Sequence, residues 1–223
     1  MIALAIGCAI ACGGLVVAEW RGLRGLRAAA KPAASAAFVG VGLLALATGD
    51  HGAAAAGYGH AIFAGLVLGA IGDVCLLRRD RAWFLAGLVA FLLGHLAYVA
   101  AIARLAPAGD WLVQAGWPAA APVAAGGAVL WALWPRLGSL RVAVVAYVAA
   151  ITVMVIAAIA AARGHALPAP RRCQLVVGAC LFFVSDVAVA RDRFVAHRLA
   201  NKLWGLPAYY AAQLLIAGSL AGS

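Results

Sequence analysis

The chain has 223 residues, of which 67% are hydrophobic and 11% charged, and its formal net charge is +10. Soluble domains carry about 25% charged residues, so this composition excludes an ordinary water-soluble fold and points to an all-α polytopic membrane protein. The apolar runs are continuous and about 20 residues long, the length of a spanning helix, and they lack the alternation of barrel strands.

Eight transmembrane helices are predicted, over 2–18, 33–49, 57–77, 82–103, 112–134, 141–162, 173–190 and 203–221, in one helical domain covering 1–223. No basic residue precedes the first apolar run, which is therefore expected to be a span and not a cleaved leader. Pro32, Pro135 and Pro170 are expected in loops or at segment starts, where a missing N–H costs little. Helix three ends just past Asp73, and helix seven ends just past Asp186. Helix four carries His95 and Tyr98; helix eight carries Tyr209, Tyr210 and Gln213. The five cysteines, Cys8, Cys12, Cys75, Cys173 and Cys180, form no CxxC pair and read as small core residues.

A charge of +10 on a soluble chain would suggest a nucleic-acid partner. Here the basic residues set topology instead, and no nucleic acid or protein partner is expected. Thirteen of the seventeen lysines and arginines fall in the odd-numbered connections: Arg21, Arg24, Arg27, Lys31, Arg78, Arg79, Arg81, Arg136, Arg141, Arg191, Arg193, Arg198 and Lys202. The positive-inside rule then puts those connections in the cytoplasm and both termini outside, in a bacterial-type inner membrane. Trp20, Trp83, Trp134 and Trp204 fall near the same boundary, as an aromatic belt requires.

Of the seven acidic residues, Glu19, Asp50, Asp80, Asp110 and Asp192 sit at segment ends or in loops, and only Asp73 and Asp186 lie within spans. A carboxylate in hydrocarbon is costly, so an intramembrane acid marks a functional site by default. Both acids precede an arginine by five residues, which puts each about 7.5 Å along a helix from its charged end. Gly72-Asp73-Val74 and Ser185-Asp186-Val187 open similar segments, and each leads through a basic turn into a helix with a polar cluster. The pattern reads either as a weak parallel 4+4 repeat or as chance similarity between two segments rich in Leu, Val and Ala.

Residues four apart share a helix face. The resulting stripes are Gly65, Gly69 and Asp73; Gln174, Gly178, Phe182 and Asp186; Gly87, Phe91, His95 and Tyr98; and Leu206, Tyr209 or Tyr210, and Gln213. The glycines suit tight helix packing. The polar members read either as packing and interhelical glue or as parts of a site. Ser185 reads as bonded back to its own helix. Lys31 reads either as a snorkelling topology residue or as part of the site. His51, His60, His95, His165 and His197 lack metal-ligand spacing and depth, so no metal or other cofactor is expected.

Several segments together resemble the YhhN-type membrane proteins, a family that includes the lysoplasmalogenases. They are Lys31-Pro32, 72–77, 91–98, Tyr147 with Met154, 178–186 and 209–216. The resemblance implies an eight-helix enzyme whose two aspartates match Asp73 and Asp186, and a lysophospholipid substrate in membrane lipid. It implies hydrolysis of the vinyl ether of a lysoplasmalogen to a fatty aldehyde and a glycerophospho-base. The chemistry suits a carboxyl pair: one acid protonates carbon, and one carboxylate steadies the cation and activates water, as in glycoside hydrolysis. Environment alone can divide those roles between two aspartates, and either could be the acid. On this reading His95, Tyr98, Tyr209, Tyr210 and Gln213 orient water and the glycerol hydroxyls. Lys31 and Arg78 receive the phosphate, and the tail lies against Phe91 and Phe182. The alternative is a proton-coupled transporter of small molecules or lipid, since paired intramembrane acids also serve carriers.

Overall fold

The computed structural model describes residues 1–48, 53–78 and 80–221, the side chains of 53–56 excepted. Asp50, His51 and Arg79 lie outside the described residues. The helices in chain order are α1 (Ile2–Arg21), α2 (Arg24–Thr48), α3 (Ala53–Cys75), α4 (Arg81–Ile102), α5 (Trp111–Ala115), α6 (Ala120–Leu133), α7 (Arg141–Arg163), α8 (Ala169–Phe194) and α9 (Leu199–Gly218). No strand occurs among the described residues. Seven of the helical stretches are long and apolar enough to cross a membrane. Large apolar side chains such as Ile10 (71%), Trp131 (80%) and Val142 (82%) stand exposed on their outer faces. A water-soluble monomer does not tolerate such surface on every side; the protein is an integral membrane protein. The count of seven differs from the eight expected because α9, 20 residues long, carries Asn201, Lys202, Tyr209, Tyr210 and Gln213 along its length and so lacks an apolar stretch long enough to count.

Local chemistry explains the ends. Gly22 adopts a left-handed conformation (φ 68°) and caps α1, its N–H donating to the Ala18 carbonyl. Only Leu23 separates it from α2, so the basic stretch 24–31 is helical, and Pro32 sits inside α2 instead of opening it. That corrects the expected start at 33. A proline in the third turn keeps a helical φ and loses one hydrogen bond. Asp80 caps α4 by accepting from the Trp83 N–H at 3.1 Å. The expected fifth span is broken: Gly116 (φ 60°) and Pro118 end α5 and start a 3-10 turn leading into α6. Pro170 lies in the first turn of α8, as expected of it. Cys8, Cys12 and Cys75 are buried, but Cys173 and Cys180 are exposed, so only three of the five act as core residues.

Two helix pairs form the closest seams. α3 lies along α4, and α8 along α9. A Cβ on Gly87 would approach the Gly72 carbonyl at 3.2 Å, and one on Gly94 the Gly65 carbonyl at 3.3 Å. Gly178 meets the Ala212 carbonyl in the same way, at 3.2 Å. Between the pairs, α2 packs on α3 and on α9, while α7 packs on α8 and on α4. The core fills the centre, with Phe38, Ile62, Leu66, Met154, Phe182 and Ile216 fully enclosed.

Candidate active site

Asp73 sits in the last turn of α3, 3% exposed. Three donors converge on its carboxylate. Lys31 Nζ, itself buried, stands 3.0 Å from Oδ1. Ser35 donates to Oδ2 at 2.8 Å, and Tyr210 donates to the same oxygen at 2.6 Å. Lys31 and Ser35 are four apart on α2 and so share one face. One turn earlier on that face, Arg27 donates to the carbonyls of Leu76 (3.2 Å) and Leu77 (2.9 Å) and pairs with Glu19 at 3.0 Å. The end of α3 that carries Asp73 is thereby tied to α2 by two basic side chains.

Asp186 lies eight residues before the end of α8, which runs past the expected 190 to Phe194, and its side chain is 15% exposed. Tyr147 donates to Oδ2 at 2.9 Å. His95 Nε2 stands 3.5 Å from that oxygen, too long for a firm hydrogen bond. The imidazole is fully buried, edge-on to Tyr147 and Phe182 with centroids 5.1 and 4.6 Å away.

Both carboxyl groups line one cavity of about 360 Å³. Lys31, Tyr147, Ser185 and Tyr209 line it with them. Phe84, Leu88, Phe91, Val144, Val148 and Ile151 make an apolar wall. At the end where the odd-numbered connections gather, the lining becomes ionic: Glu19, Arg27, Arg78, Asp192, Arg193, His197 and Lys202. Asp192 there pairs with Lys202 at 3.1 Å and with His197 at 2.9 Å. Arg78 lies over the Trp83 ring, 5.2 Å from its centroid.

A deeper layer braces the cavity floor. Tyr98 donates to Gln213 Oε1 at 2.7 Å, Gln213 Nε2 donates to the Tyr209 hydroxyl at 3.2 Å, and Tyr209 donates to the Gly69 carbonyl at 2.9 Å. Gly65 and Gly69 make this layer fit. A methyl on Gly65 would overlap the Tyr98 ring, and one on Gly69 would overlap the Gln213 amide. Among the described residues, no group of three or more His, Cys, Asp and Glu side chains stands close enough to share a metal ion.

The model of the YhhN family matches residues 26–220. The chain belongs to the YhhN family. It is similar to the lysoplasmalogenase TMEM86A of Bos taurus, 35% identical over 161 residues, which are 70% of this chain and 63% of that protein. It is also similar to a lysoplasmalogenase of Mycobacterium bovis, 35% identical over 158 residues, or 68% of this chain and 56% of the relative. The human lysoplasmalogenase TMEM86A is 32% identical over 160 residues, again 70% of this chain and 63% of the relative. The chain therefore spans less than two thirds of the length of the curated relatives it matches. No solved structure matches it significantly.

In this YhhN protein, Asp73, Asp186, Lys31, Arg78 and Tyr209 all reach the cavity. His95, Tyr98, Tyr210 and Gln213 stand behind its lining and act on it through Asp186, Asp73 and Tyr209. Phe91 is part of the wall, whereas Phe182 is 1% exposed and packs behind it. Ser35 and the contact of Tyr147 with Asp186 are absent from the sequence reading. Ser35 has a signal available, its four-residue offset from Lys31. Nothing local in the sequence joins Tyr147 to Asp186.

Proposed function

We propose that this protein is a membrane-embedded hydrolase that cleaves the vinyl ether of lysoplasmalogen-type lysolipids to a fatty aldehyde and a glycerophospho-base. The observation that carries the reading is one cavity bearing two aspartates from different helices, with an apolar wall on one side and an ionic rim on the other. A lysolipid has that division of polarity, and the relatives' names give the reaction class. Asp73 and Asp186 perform acid and base chemistry on the vinyl ether. Arg78, at the rim, receives the phosphate, and Lys31, with three donors, reaches it while remaining paired with Asp73. Tyr209 orients water or a glycerol hydroxyl, braced by Gln213 and Tyr98. The hydrocarbon tail runs along Phe91, Leu88 and Val148.

On the same reading α9 is an eighth span, its polar residues turned inward against α3 and α2. The halves α1–α4 and α5–α9 form a 4+4 repeat. Its support is the exchange of partners: Asp73 is held from α2 and α9, Asp186 from α7 and α4, which are the equivalent helices of the two halves. The odd-numbered connections face the cytoplasm and both termini face outside, in agreement with the basic residues and exposed tryptophans at that end.

The test is incubation of the purified protein, in detergent, with a mixed panel of vinyl-ether, alkyl-ether and ester lysolipids, followed by mass identification of products. Fatty aldehyde from the vinyl-ether lipids alone is the expected result. No product from any lipid would overturn the reading, as would activity seen only as transport across sealed vesicles.

A further inference from the structure

The two aspartates are unlike in their surroundings, and the difference assigns their chemistry. Asp73 is enclosed and receives an ammonium and two hydroxyl donors, one on Oδ1 and two on Oδ2. An ammonium and two hydroxyls thus aim their protons at this one carboxyl group, the arrangement of an acceptor. Among the described residues, no lysine or arginine pairs with Asp186. The Tyr147 hydroxyl donates to it, the fully buried His95 ring stands 3.5 Å away, and its side chain is the more open of the two. Resting on the hydrolase reading above, we propose that Asp186 is the proton donor to carbon and that Asp73, held as a carboxylate by Lys31, Ser35 and Tyr210, is the base that activates water.

The steps balance. The Asp186 carboxyl gives its proton to the vinyl carbon remote from oxygen; the π pair forms the new C–H bond, and an oxygen lone pair completes the oxocarbenium ion. Asp73 takes a proton from water as the water oxygen bonds to the cationic carbon. In collapse of the hemiacetal, Asp73 returns its proton to the departing glycerol oxygen. The hemiacetal hydroxyl proton passes to the Asp186 carboxylate. One water is consumed and both acids return to their starting forms. The fixed cation on Asp73 also stops the two acids from exchanging roles between turnovers.

The division is testable because the two steps leave different isotopic records in D2O. Without Asp73 the cation still forms but water capture is slow, so Asp186 takes back a proton. Asp73→Asn is expected to return unreacted vinyl ether deuterated at the carbon remote from oxygen, with aldehyde release down about 10²–10⁴-fold. Asp186→Asn is expected to lower aldehyde release about 10²–10⁴-fold as well, but to give no deuterated substrate. Lys31 would be left unpaired by Asp73→Asn, so the double variant Lys31→Met/Asp73→Asn is measured beside it and should show the same exchange. Exchange in Asp186→Asn and none in the Asp73 variants would reverse the assignment. No exchange in any variant would overturn it. Absence of vinyl-ether cleavage by the unmodified protein, in contrast, would sink the hydrolase reading itself and is read out separately by aldehyde.

Discussion

Asp73 on α3 and Asp186 on α8 line the same cavity, yet one is saturated with donors and the other nearly bare. Asp73 has a lysine at 3.0 Å; Asp186 has an imidazole at 3.5 Å. Two similar segments in similar helices thus acquire different electrostatic settings from the helices packed against them. The acid is local to its own helix, but its character is supplied by α2 and α9 in one case and by α4 and α7 in the other. Similar local sequence around two acids therefore does not give them similar surroundings.

The comparison can be broken at several levels. The largest effect is expected from Asp186→Asn, which removes the proposed proton donor and should lower aldehyde release about 10²–10⁴-fold; Asp186→Glu, assayed in parallel, should recover part of the loss. Next comes Lys31→Met. It strands a buried carboxylate and should cost about 3–5 kcal/mol of stability, read as a lower melting temperature in detergent, while Lys31→Met/Asp73→Asn should melt close to the unmodified protein. Equal melting of the single and double variants would mean that the ion pair is not the bond that matters. The smallest effects come from the tyrosines. Tyr210→Phe, which deletes a donor to an ionised group, should cost about 1.5–3 kcal/mol; Tyr147→Phe should cost about 0.5–1.5 kcal/mol. If Tyr147→Phe proved the costlier of the two, the proposed charge states would be the wrong way round.

The helical class, most spans and the two acids are legible in the sequence because each is a property of a short stretch: an apolar run, or a lone charge within one. Pro32 misleads for the same reason. It reads as a helix start, whereas the turn that begins α2 lies at Gly22, whose left-handed cap is visible only in the backbone. The partners of the acids are not local. Tyr147 is 39 residues from Asp186, Ser35 is 38 from Asp73, and Tyr210 is 137 from Asp73. Joining them requires knowing which helix lies beside which. Lys31 shows the limit well. Sequence marks it as basic and near a membrane boundary, and both a surface role and a site role follow from that; only the packing of α2 on α3 reveals it buried against a carboxylate.

The glycine seams carry a mechanical consequence. Close approach locks α3 to α4 and α8 to α9 as two stiff units. Neither aspartate draws its partners from the helix locked to its own: Asp73 on α3 is gripped from α2 and α9, while Asp186 on α8 is held from α7 and faces a longer 3.5 Å approach from α4. Between the two units run the Tyr210 bond to Asp73 and the His95 approach to Asp186, so one contact at each carboxyl group depends on how the units sit together. Under the proposed function, closure of the bundle and chemical competence are one geometric condition.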